Sequence, residues 1–290
     1  MRIDLQQGSQ AWVEWRGKGI GGSDAGTIMC ENRFETVYAL WAKKTGQRPP
    51  KRSNAAMARG NKLEDAGRMA FVQKVGEFFI PACIEHDEYR FMRTSLDGIS
   101  PDGELAFELK IPETPHTHLI AREGQVPRIY YAQCQHNLFV SGARKLFFVS
   151  WYPKDEAVPL AEVPVFPDFA YRTEMIAAET EFWKWVTEKR FPFEAAKNAK
   201  GREANLSTDP EWVRLAGMLW EADAMRAMAE ERYNDIRGQM ERIAMKTGQS
   251  RVRGAGVLAS WVHTMEYQMT KPETKYLRIG HSASDGEGEE

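Results

Sequence analysis

The sequence predicts an α/β core followed by a helical C-terminal extension, and three observations lead to this prediction. Strand-like and helix-like patterns alternate through roughly the first two thirds of the 290 residues. Beyond Pro192, apolar residues recur in alternating steps of three and four, the spacing of a long helix with heptad character. No stretch approaches the roughly 18 uninterrupted apolar residues that a membrane span needs. We therefore expect a core at 1–195, an extension at 196–280 and an acidic, disordered tail at 281–290.

The composition predicts an intracellular protein. Apolar residues make up 42% and charged residues 28% of the chain, the balance of an ordinary soluble domain. The N-terminal residues lack the apolar segment of a secretory signal. Cys30, Cys83 and Cys134 are odd in number and widely scattered, which gives neither a disulfide framework nor a cysteine metal knuckle. Because the net charge is only −2, attraction to nucleic acid would have to come from local charge.

A glycine-rich segment near the N-terminus predicts an anion site. Four glycines within residues 17–22 precede Ser23, a predicted N-cap for a helix beginning at Asp24. A helix N-terminus beside an arginine, here Arg16, can bind a phosphate group. No Gly-Lys-Ser/Thr follows, so the nucleotide site of a Walker loop is disfavoured. The alternative is a glycine-rich turn with a capping serine.

Two predicted helices, 34–44 and 54–75, bracket a basic segment between Lys43 and Lys62. The segment contains no acidic residue and seven basic ones: Lys43, Lys44, Arg48, Lys51, Arg52, Arg59 and Lys62. Such a segment is either a solvated loop or a contact to the DNA backbone, and Lys51 with Arg52 would make that contact.

A predicted β-hairpin, with strands at 90–97 and 104–110, carries the candidate chemistry. Side chains alternate along a strand, so Glu108 and Lys110 share one face, and Asp97 could lie across the hairpin from them. Two carboxylates suit Mg²⁺, and the lysine could position water or neutralise charge on a phosphate. Glu-x-Lys is also a common surface ion pair, so the motif alone leaves both interpretations open.

Two later elements and one earlier helix add to this picture. In the helix predicted at 129–140, Tyr130, Gln133 and Asn137 lie on one face and could look back toward the hairpin. Glu64, in the helix before the hairpin, could join the site or simply pair with an arginine four residues on. The apolar run 146–152 suits a buried strand.

The extension carries the heptad pattern already noted. The helix is predicted to end near Gly248 and to be followed by a strand-like segment at 256–262. Its apolar positions, with Arg226 breaking the register, are Trp212, Leu215, Leu219, Ala222, Ala229, Tyr233, Ile236, Met240 and Ile243. These heptads could pack within the chain, join protomers or dock a partner.

The order and spacing of these short motifs are together specific. Over residues 8 to 155 they are Trp-x-x-x-Arg16, Ile-Gly-Gly-Ser23-Asp24, Gly60-x-x-x-Glu64, Ser95-Leu-Asp97-Gly, Glu108-Leu-Lys110 and Tyr131-Ala-Gln133-Cys-Gln135. The series resembles the YqaJ-type viral recombinases, relatives of phage lambda exonuclease in the PD-(D/E)xK nuclease superfamily. The resemblance implies a restriction-endonuclease-like core, a central mixed sheet flanked by helices. No proline precedes Asp97, where the namesake motif has one.

The resemblance also implies metal ligands. Asp97, Glu108 and the carbonyl of Leu109 would bind Mg²⁺, for which Mn²⁺ could substitute. Lys110 would activate or position the attacking water. Glu64 would join at a second metal or through its waters.

Three further positions match binding or catalytic residues of the family. Gln133 would be the site glutamine, with Gln135 as the less certain choice. Arg16 and Ser23 match the pair that receives the 5′ phosphate.

The family implies a 5′-to-3′ exonuclease that digests double-stranded DNA from its ends and exposes 3′ single strands for phage-type recombination. Such enzymes form a ring-shaped trimer, work beside a single-strand annealing protein and act in the bacterial cytoplasm. One alternative is a CRISPR-adaptation nuclease, although three scattered cysteines do not form its usual four-cysteine cluster. Another is a catalytically silent DNA-binding or assembly protein built on the coiled coil, against which the complete Asp97, Glu108 and Lys110 set argues.

Overall fold

The computed structural model describes residues 1–48, 55–191, 206, 208–247, 251–254 and 257–260. The described residues divide into two compact units, one within 1–191 and the other within 206–260. No helix in the described ranges is long and apolar enough to cross a membrane. The predicted acidic tail at 281–290 lies outside the described residues.

The first unit contains a mixed sheet and seven described helices. The strands are β1 Arg2–Ile3, β2 Ile20–Gly21, β3 Ile80–Glu85, β4 Met92–Ile99, β5 Leu105–Lys110, β6 Lys145–Trp151 and β7 Leu160–Val165. The helices are α1 Gln10–Gly17, α2 Gly22–Ile28, α3 Val37–Lys44, α4 Ala55–Val75, α5 His116–Arg122, α6 Arg128–Ser141 and α7 Phe169–Thr187.

The sheet confirms the predicted fold class. Its strand order is β1-β3-β4-β5-β6-β7, and β2 pairs with β4 from outside this path. Strands β5 and β6 are parallel, whereas β4 and β5 form the predicted antiparallel hairpin. A parallel neighbour requires a crossover connection, and α5 with α6 supplies it. The β4–β5 hairpin therefore lies in the middle of the sheet, beside α6.

The predicted elements of this unit are observed with shifted ends. The helix predicted from residue 34 begins at Val37, because the side chain of Thr36 caps it by accepting from the backbone N–H of Ala39 at 3.2 Å. The strand predicted at 90–97 runs instead from Met92 to Ile99. Asp97 consequently lies inside a strand rather than at the start of the loop.

Apolar packing on both faces of the sheet holds the hairpin in place. Phe107 and Leu109 pack with Phe71 of α4 on one face, whereas Ala106 packs with residues of α6 on the other. Gly98 is required in β4, since a Cβ there would lie 2.1 Å from the ring of Phe107. Alternation along β5 then directs Glu108 and Lys110 toward α6.

The second unit contains the predicted long helix. Helix α8 is Pro210–Lys246, and strands β8 Arg251–Gly254 and β9 Val257–Ser260 form an antiparallel pair. Asp209 caps α8, accepting from the backbone N–H of Trp212 at 2.8 Å. The predicted heptad stripe is largely exposed, with Trp212 54% and Ile243 63% accessible.

Candidate active site

The structure brings Asp97, Glu108 and Lys110 together on the β4–β5 hairpin. Lys110 Nζ donates to Glu108 Oε1 at 2.6 Å. Asp97 Oδ2 accepts from the backbone N–H of Leu109 at 2.6 Å, which holds its carboxylate against β5, where it interacts electrostatically with both other side chains. Two carboxylates and an ammonium therefore meet at one place on the sheet.

This cluster holds two acidic groups but only one basic group, and this affects the pKa values of Asp97 and Lys110. Burial, and then the charge of Glu108, raise the pKa of Asp97 to about 8, although Lys110 acts in the opposite direction. Burial alone would lower the pKa of Lys110, but Glu108 and Asp97 outweigh it and raise that pKa above its ordinary value. The lysine is thus an ammonium at neutral pH, and its single positive charge can balance only one carboxylate, so Asp97 is largely protonated there when no cation is bound.

Two amides of α6 orient the Glu108 carboxylate. Gln133 Nε2 donates to Oε1 at 2.6 Å, and Asn137 Nδ2 donates to Oε2 at 2.9 Å. The Lys110 ammonium also lies 5.0 Å from the centroid of the Tyr130 ring. A carboxylate accepts about four hydrogen bonds, and Glu108 receives three from described residues. One acceptor position, on Oε2, is left for a further ligand.

The orientation of α6 separates the two candidate glutamines. Gln133 faces Glu108, whereas Gln135 is fully buried on another face. Gln135 Nε2 donates to the carbonyl of Phe166 at 2.9 Å, and its Oε1 accepts from the backbone N–H of Asp168 at 3.0 Å. Gln135 therefore holds the segment before α7 and does not reach the hairpin.

Glu64 lies near this cluster but has its own partner. Arg68 Nη2 donates to Glu64 Oε1 at 2.9 Å across one turn of α4. The charge of Glu64 nevertheless contributes, as the smallest of the causes, to raising the pKa of Asp97. Among the described residues, no group of three or more histidines, cysteines or carboxylates forms a metal cluster. Of the predicted ligand side chains, the structure thus joins Asp97 with Glu108 and leaves Glu64 paired with Arg68.

The structure also brings Arg16 and Ser23 together, but it corrects the role of Ser23 in the helix. Helix α2 begins at Gly22 with Gly21 as its N-cap, so Ser23 is the second helical residue and not the cap. The backbone N–H of Gly21 donates to Asp24 Oδ2 at 3.0 Å, and this bond serves the cap instead. Ser23 is exposed, and its hydroxyl accepts a hydrogen bond from Arg16 Nη2.

The first part of the basic segment has structural partners. The buried Lys44 pairs with Asp24 at 2.7 Å and donates to the carbonyl of Gly19 at 2.5 Å. Burial raises the pKa of Asp24, but nearby cations, Lys44 foremost, lower it far below its ordinary value. Lys43 pairs with Glu35 at 3.2 Å. Both lysines therefore pair with carboxylates that lie outside the basic segment, and these ion pairs stabilise the fold.

Four of the five other basic residues of the segment have side chains that the structure does not describe. Lys51 and Arg52 lie outside the described residues, as do the side chains of Arg59 and Lys62. Contact between Lys51, Arg52 and DNA stays a prediction.

Sequence reasoning missed the role of Asn137 and the residue that supports it. Thr94 Oγ1 in β4 donates to Asn137 Oδ1 at 2.7 Å, while the Asn137 amide nitrogen donates to Glu108. The spacing of four residues from Gln133 placed Asn137 on the correct helix face. Nothing in the sequence indicated that Thr94 would meet it there, because the two are 43 residues apart.

Comparison with known proteins confirms the predicted resemblance. Residues 11–144 match the family described as the YqaJ-like viral recombinase domain. The chain is also 34% identical over 142 residues to the uncharacterized protein YqaJ of Bacillus subtilis (strain 168). That alignment covers 47% of this chain and 44% of the relative, so the match spans less than half of the relative's length.

Solved structures share the fold. An alkaline exonuclease, LHK-Exo, from Laribacter hongkongensis superimposes with a TM-score of 0.56 at 22% identity, covering 66% of this chain and 99% of that one. A structure of LHK-Exo in complex with dAMP gives the same TM-score and identity, covering 62% and 94% of the two chains. At this level of identity the similarity shows a common fold.

Proposed function

From the YqaJ-like viral recombinase match over residues 11–144, we propose that this protein is a Mg²⁺-dependent exonuclease that digests double-stranded DNA from its ends in the 5′-to-3′ direction. The products would be 3′ single strands for phage-type recombination. The observation that carries the proposal is the meeting of Asp97, Glu108 and Lys110 on the hairpin. A protein that only binds DNA has no need for two opposed carboxylates beside a lysine.

The donor set fits a divalent cation. Asp97, Glu108 and the Leu109 carbonyl offer hard oxygen ligands, and Glu64 would contribute at a second ion or through its waters. Burial and the Glu108 carboxylate raise the pKa of Asp97 to about 8, and a bound cation would favour its ionised form. When bound, Mg²⁺ would polarise the scissile phosphodiester and lower the pKa of a water; Mn²⁺ could substitute.

The protein's own residues prepare the reaction. The Gln133 and Asn137 amides hold the Glu108 carboxylate in one orientation, which keeps one of its lone pairs directed away from the helix. Lys110 stays protonated, so its ammonium can neutralise charge that develops on the scissile phosphate or hold the attacking water. Ion pairing with Glu108 and contact with the Tyr130 ring limit its movement.

The 5′ end of the DNA would be held by Arg16 and Ser23. Their hydrogen bond places a guanidinium and an exposed hydroxyl side by side, and an arginine fork can bind two phosphate oxygens at once. The Laribacter protein has been solved with dAMP, a deoxynucleotide, in keeping with such a substrate. Lys51 and Arg52 would contact the backbone of the duplex.

The proposal extends to assembly and partners by family resemblance. We expect a ring-shaped homotrimer that acts beside a single-strand annealing protein in the cytoplasm of a bacterial host. Sedimentation analysis of the purified full-length chain tests the trimer directly.

A linear duplex labelled at either the 5′ or the 3′ end tests the activity. With Mg²⁺ we expect early release of the 5′ label and late release of the 3′ label, and chelator should stop both. Early release of the 3′ label alone would overturn the direction. Binding without any cleavage in Mg²⁺ or Mn²⁺ would favour the silent DNA-binding alternative.

A further inference from the structure

Asn137 is an almost fully buried polar side chain beside the proposed site. It is 1% exposed and contacts residues of three other elements: Glu108 in β5, Thr94 in β4 and Gly22 in α2. Gln133, one turn earlier on α6, reaches Glu108 as well. Both side chains also approach Gly22 in the first turn of α2, and Asn137 comes closer: a Cβ at Gly22 would lie 2.2 Å from Asn137 Oδ1 and 3.4 Å from Gln133 Cγ.

Chemistry fixes the orientation of the Asn137 amide. An ionised carboxylate only accepts hydrogen bonds, so the amide nitrogen must face Glu108. The amide oxygen then faces Thr94, whose buried hydroxyl donates to it at 2.7 Å. Reversal of the amide would break the bond to Glu108 and bring two oxygens together there, whereas the Thr94 hydroxyl could still accept from the reversed nitrogen. Thr94 therefore holds Asn137, and Asn137 holds Oε2 of Glu108.

The first turn of α2 packs directly on this amide. A Cβ at Gly22 would lie 2.2 Å from Asn137 Oδ1 and 3.1 Å from its Cγ, so only glycine allows the approach. The next residue is Ser23, which accepts a hydrogen bond from Arg16. The Asn137 side chain thus lies between the carboxylate of Glu108 and the segment that would receive a 5′ phosphate.

We propose that Asn137 is a positioning residue that fixes Glu108 relative to the first turn of α2. It thereby sets the spacing between the metal ligand and the 5′-phosphate pocket. The inference rests on the proposed function, because both ends of this spacing take their roles from it. An enzyme that binds a terminal phosphate and cleaves at a defined distance from it must keep the metal ligand and the phosphate pocket at a constant separation. Displacement of either one moves the scissile bond away from the metal.

Matched substitutions at Thr94 separate hydrogen bonding from packing. Thr94→Val keeps the volume and removes the hydroxyl, whereas Thr94→Ser keeps the hydroxyl and loses a methyl group. Partners that orient metal ligands typically change metal affinity or activity by about 10- to 100-fold. We therefore expect Thr94→Val and Asn137→Ala to weaken Mg²⁺ binding within that range by calorimetry without DNA, and Thr94→Ser to stay near wild type. If Thr94→Ser weakened Mg²⁺ binding more than Thr94→Val did, packing rather than hydrogen bonding would matter, and the proposal would be overturned.

The contact with Gly22 is tested by a double-mutant cycle. Gly22→Ala should displace Asn137, weaken Mg²⁺ binding and reduce the preference for 5′-phosphorylated over 5′-hydroxyl duplex, although Arg16 and Ser23 are intact. In an Asn137→Ala background the added methyl group has room, so Gly22→Ala should have little further effect on either measurement. Additive effects of the two substitutions would contradict the coupling.

One control and one comparison complete the design. Gln135→Ala removes a buried amide from the same helix, and it should lower the melting temperature while leaving Mg²⁺ affinity unchanged. If wild type binds Mg²⁺ but does not degrade DNA, the proposed function fails, and the Thr94 and Gly22 series still decides whether Asn137 orients Glu108. If wild type binds no Mg²⁺, both proposals fail.

Discussion

Two buried polar clusters lie on different faces of α6. On one face Gln133 and Asn137 hold Glu108. On another face His136 Nδ1 lies 2.8 and 3.0 Å from the two oxygens of Glu179, and both side chains are fully buried. Burial and close hydrogen bonding are common to both clusters, so these features alone do not distinguish a functional site from a structural one.

Charge balance distinguishes the two clusters. The second nitrogen of His136 faces the carbonyl of Arg93 at 2.9 Å, so both ring nitrogens face acceptors and both must carry protons. The resulting imidazolium neutralises Glu179. Asp97 and Glu108, by contrast, share the single cation of Lys110, and burial together with the charge of Glu108 raises the pKa of Asp97 to about 8. A structural cluster neutralises itself, whereas the acidic cluster would be completed by a bound cation.

We expect the largest effect on activity from substitutions in the cluster of Asp97, Glu108 and Lys110. Asp97→Asn and Glu108→Gln should each reduce Mg²⁺-dependent cleavage by more than about 10⁴-fold, the scale on which members of a catalytic group act. In urea with chelator above about pH 8, where Asp97 is ionised, Asp97→Asn should unfold at higher denaturant than wild type, because the substitution removes a buried charge and its repulsion from Glu108. Glu108→Ala is less suitable, since it leaves Lys110, Gln133 and Asn137 without their acceptor.

Exposed Glu123→Gln serves as the control for these two variants, and it should match wild type in rate and stability. Near-full activity of Glu108→Gln in Mg²⁺ would place the site elsewhere.

Substitution in the balanced cluster, His136 with Glu179, should lower the stability of the fold and leave activity unchanged. Glu179→Gln leaves the His136 cation without its anion, and breaking a buried pair in this way costs about 3–5 kcal/mol of unfolding free energy. Urea unfolding measures this loss. Below its melting transition the variant should retain the cleavage rate of wild type per folded molecule. Loss of activity at unchanged stability would remove the distinction between the two clusters.

The balanced cluster also predicts a pH dependence. Burial lowers the pKa of His136, but Glu179 outweighs it and raises the pKa above its ordinary value. The bound proton therefore stabilises the fold fully below about pH 6.5, the unfolded pKa, and this contribution is lost as pH rises through the folded pKa. The unfolding free energy of wild type relative to His136→Gln/Glu179→Gln should accordingly fall as pH rises above about 6.5, by at most about 1.4 kcal/mol per pH unit. A rise over this range would mean that His136 is neutral in the fold.

The smallest expected effect concerns two cations beside the glycine-rich segment. Arg16 donates to the exposed Ser23 hydroxyl, whereas Lys44 is buried against Asp24. Arg16→Ala should reduce the preference for 5′-phosphorylated duplex by about 10- to 150-fold, equal to one charge-assisted hydrogen bond of about 1.5–3 kcal/mol. Arg16→Lys should restore it in part, because the ammonium keeps the charge and loses the fork.

Lys44→Met is the matched variant, and it should lower stability with the preference unchanged. Initial rates on duplexes that differ only at the 5′ end provide the measurement. An unchanged preference in Arg16→Ala would return Arg16 to a structural role.

The sequence by itself determined the features that depend on local periodicity. Alternation along 104–110 places Glu108 and Lys110 on one face, and a spacing of four residues places Gln133 with Asn137. Turn residues between the strands predicted the hairpin that brings Asp97 near them. The same local patterns, in series, carried the family resemblance over residues 8 to 155, which the family match over residues 11–144 confirms.

Only the tertiary structure decided which partners those faces meet. The orientation of α6 against the sheet decides that Gln133, and not Gln135, contacts Glu108. The packing of α3 brings Lys44 to Asp24, which lies 20 residues earlier in the sequence. His136 and Glu179 are 43 residues apart and meet only because α7 packs on α6. Local sequence determines the direction of a side chain within its own element. The partner depends on the packing of elements distant in sequence, which spacing alone does not encode.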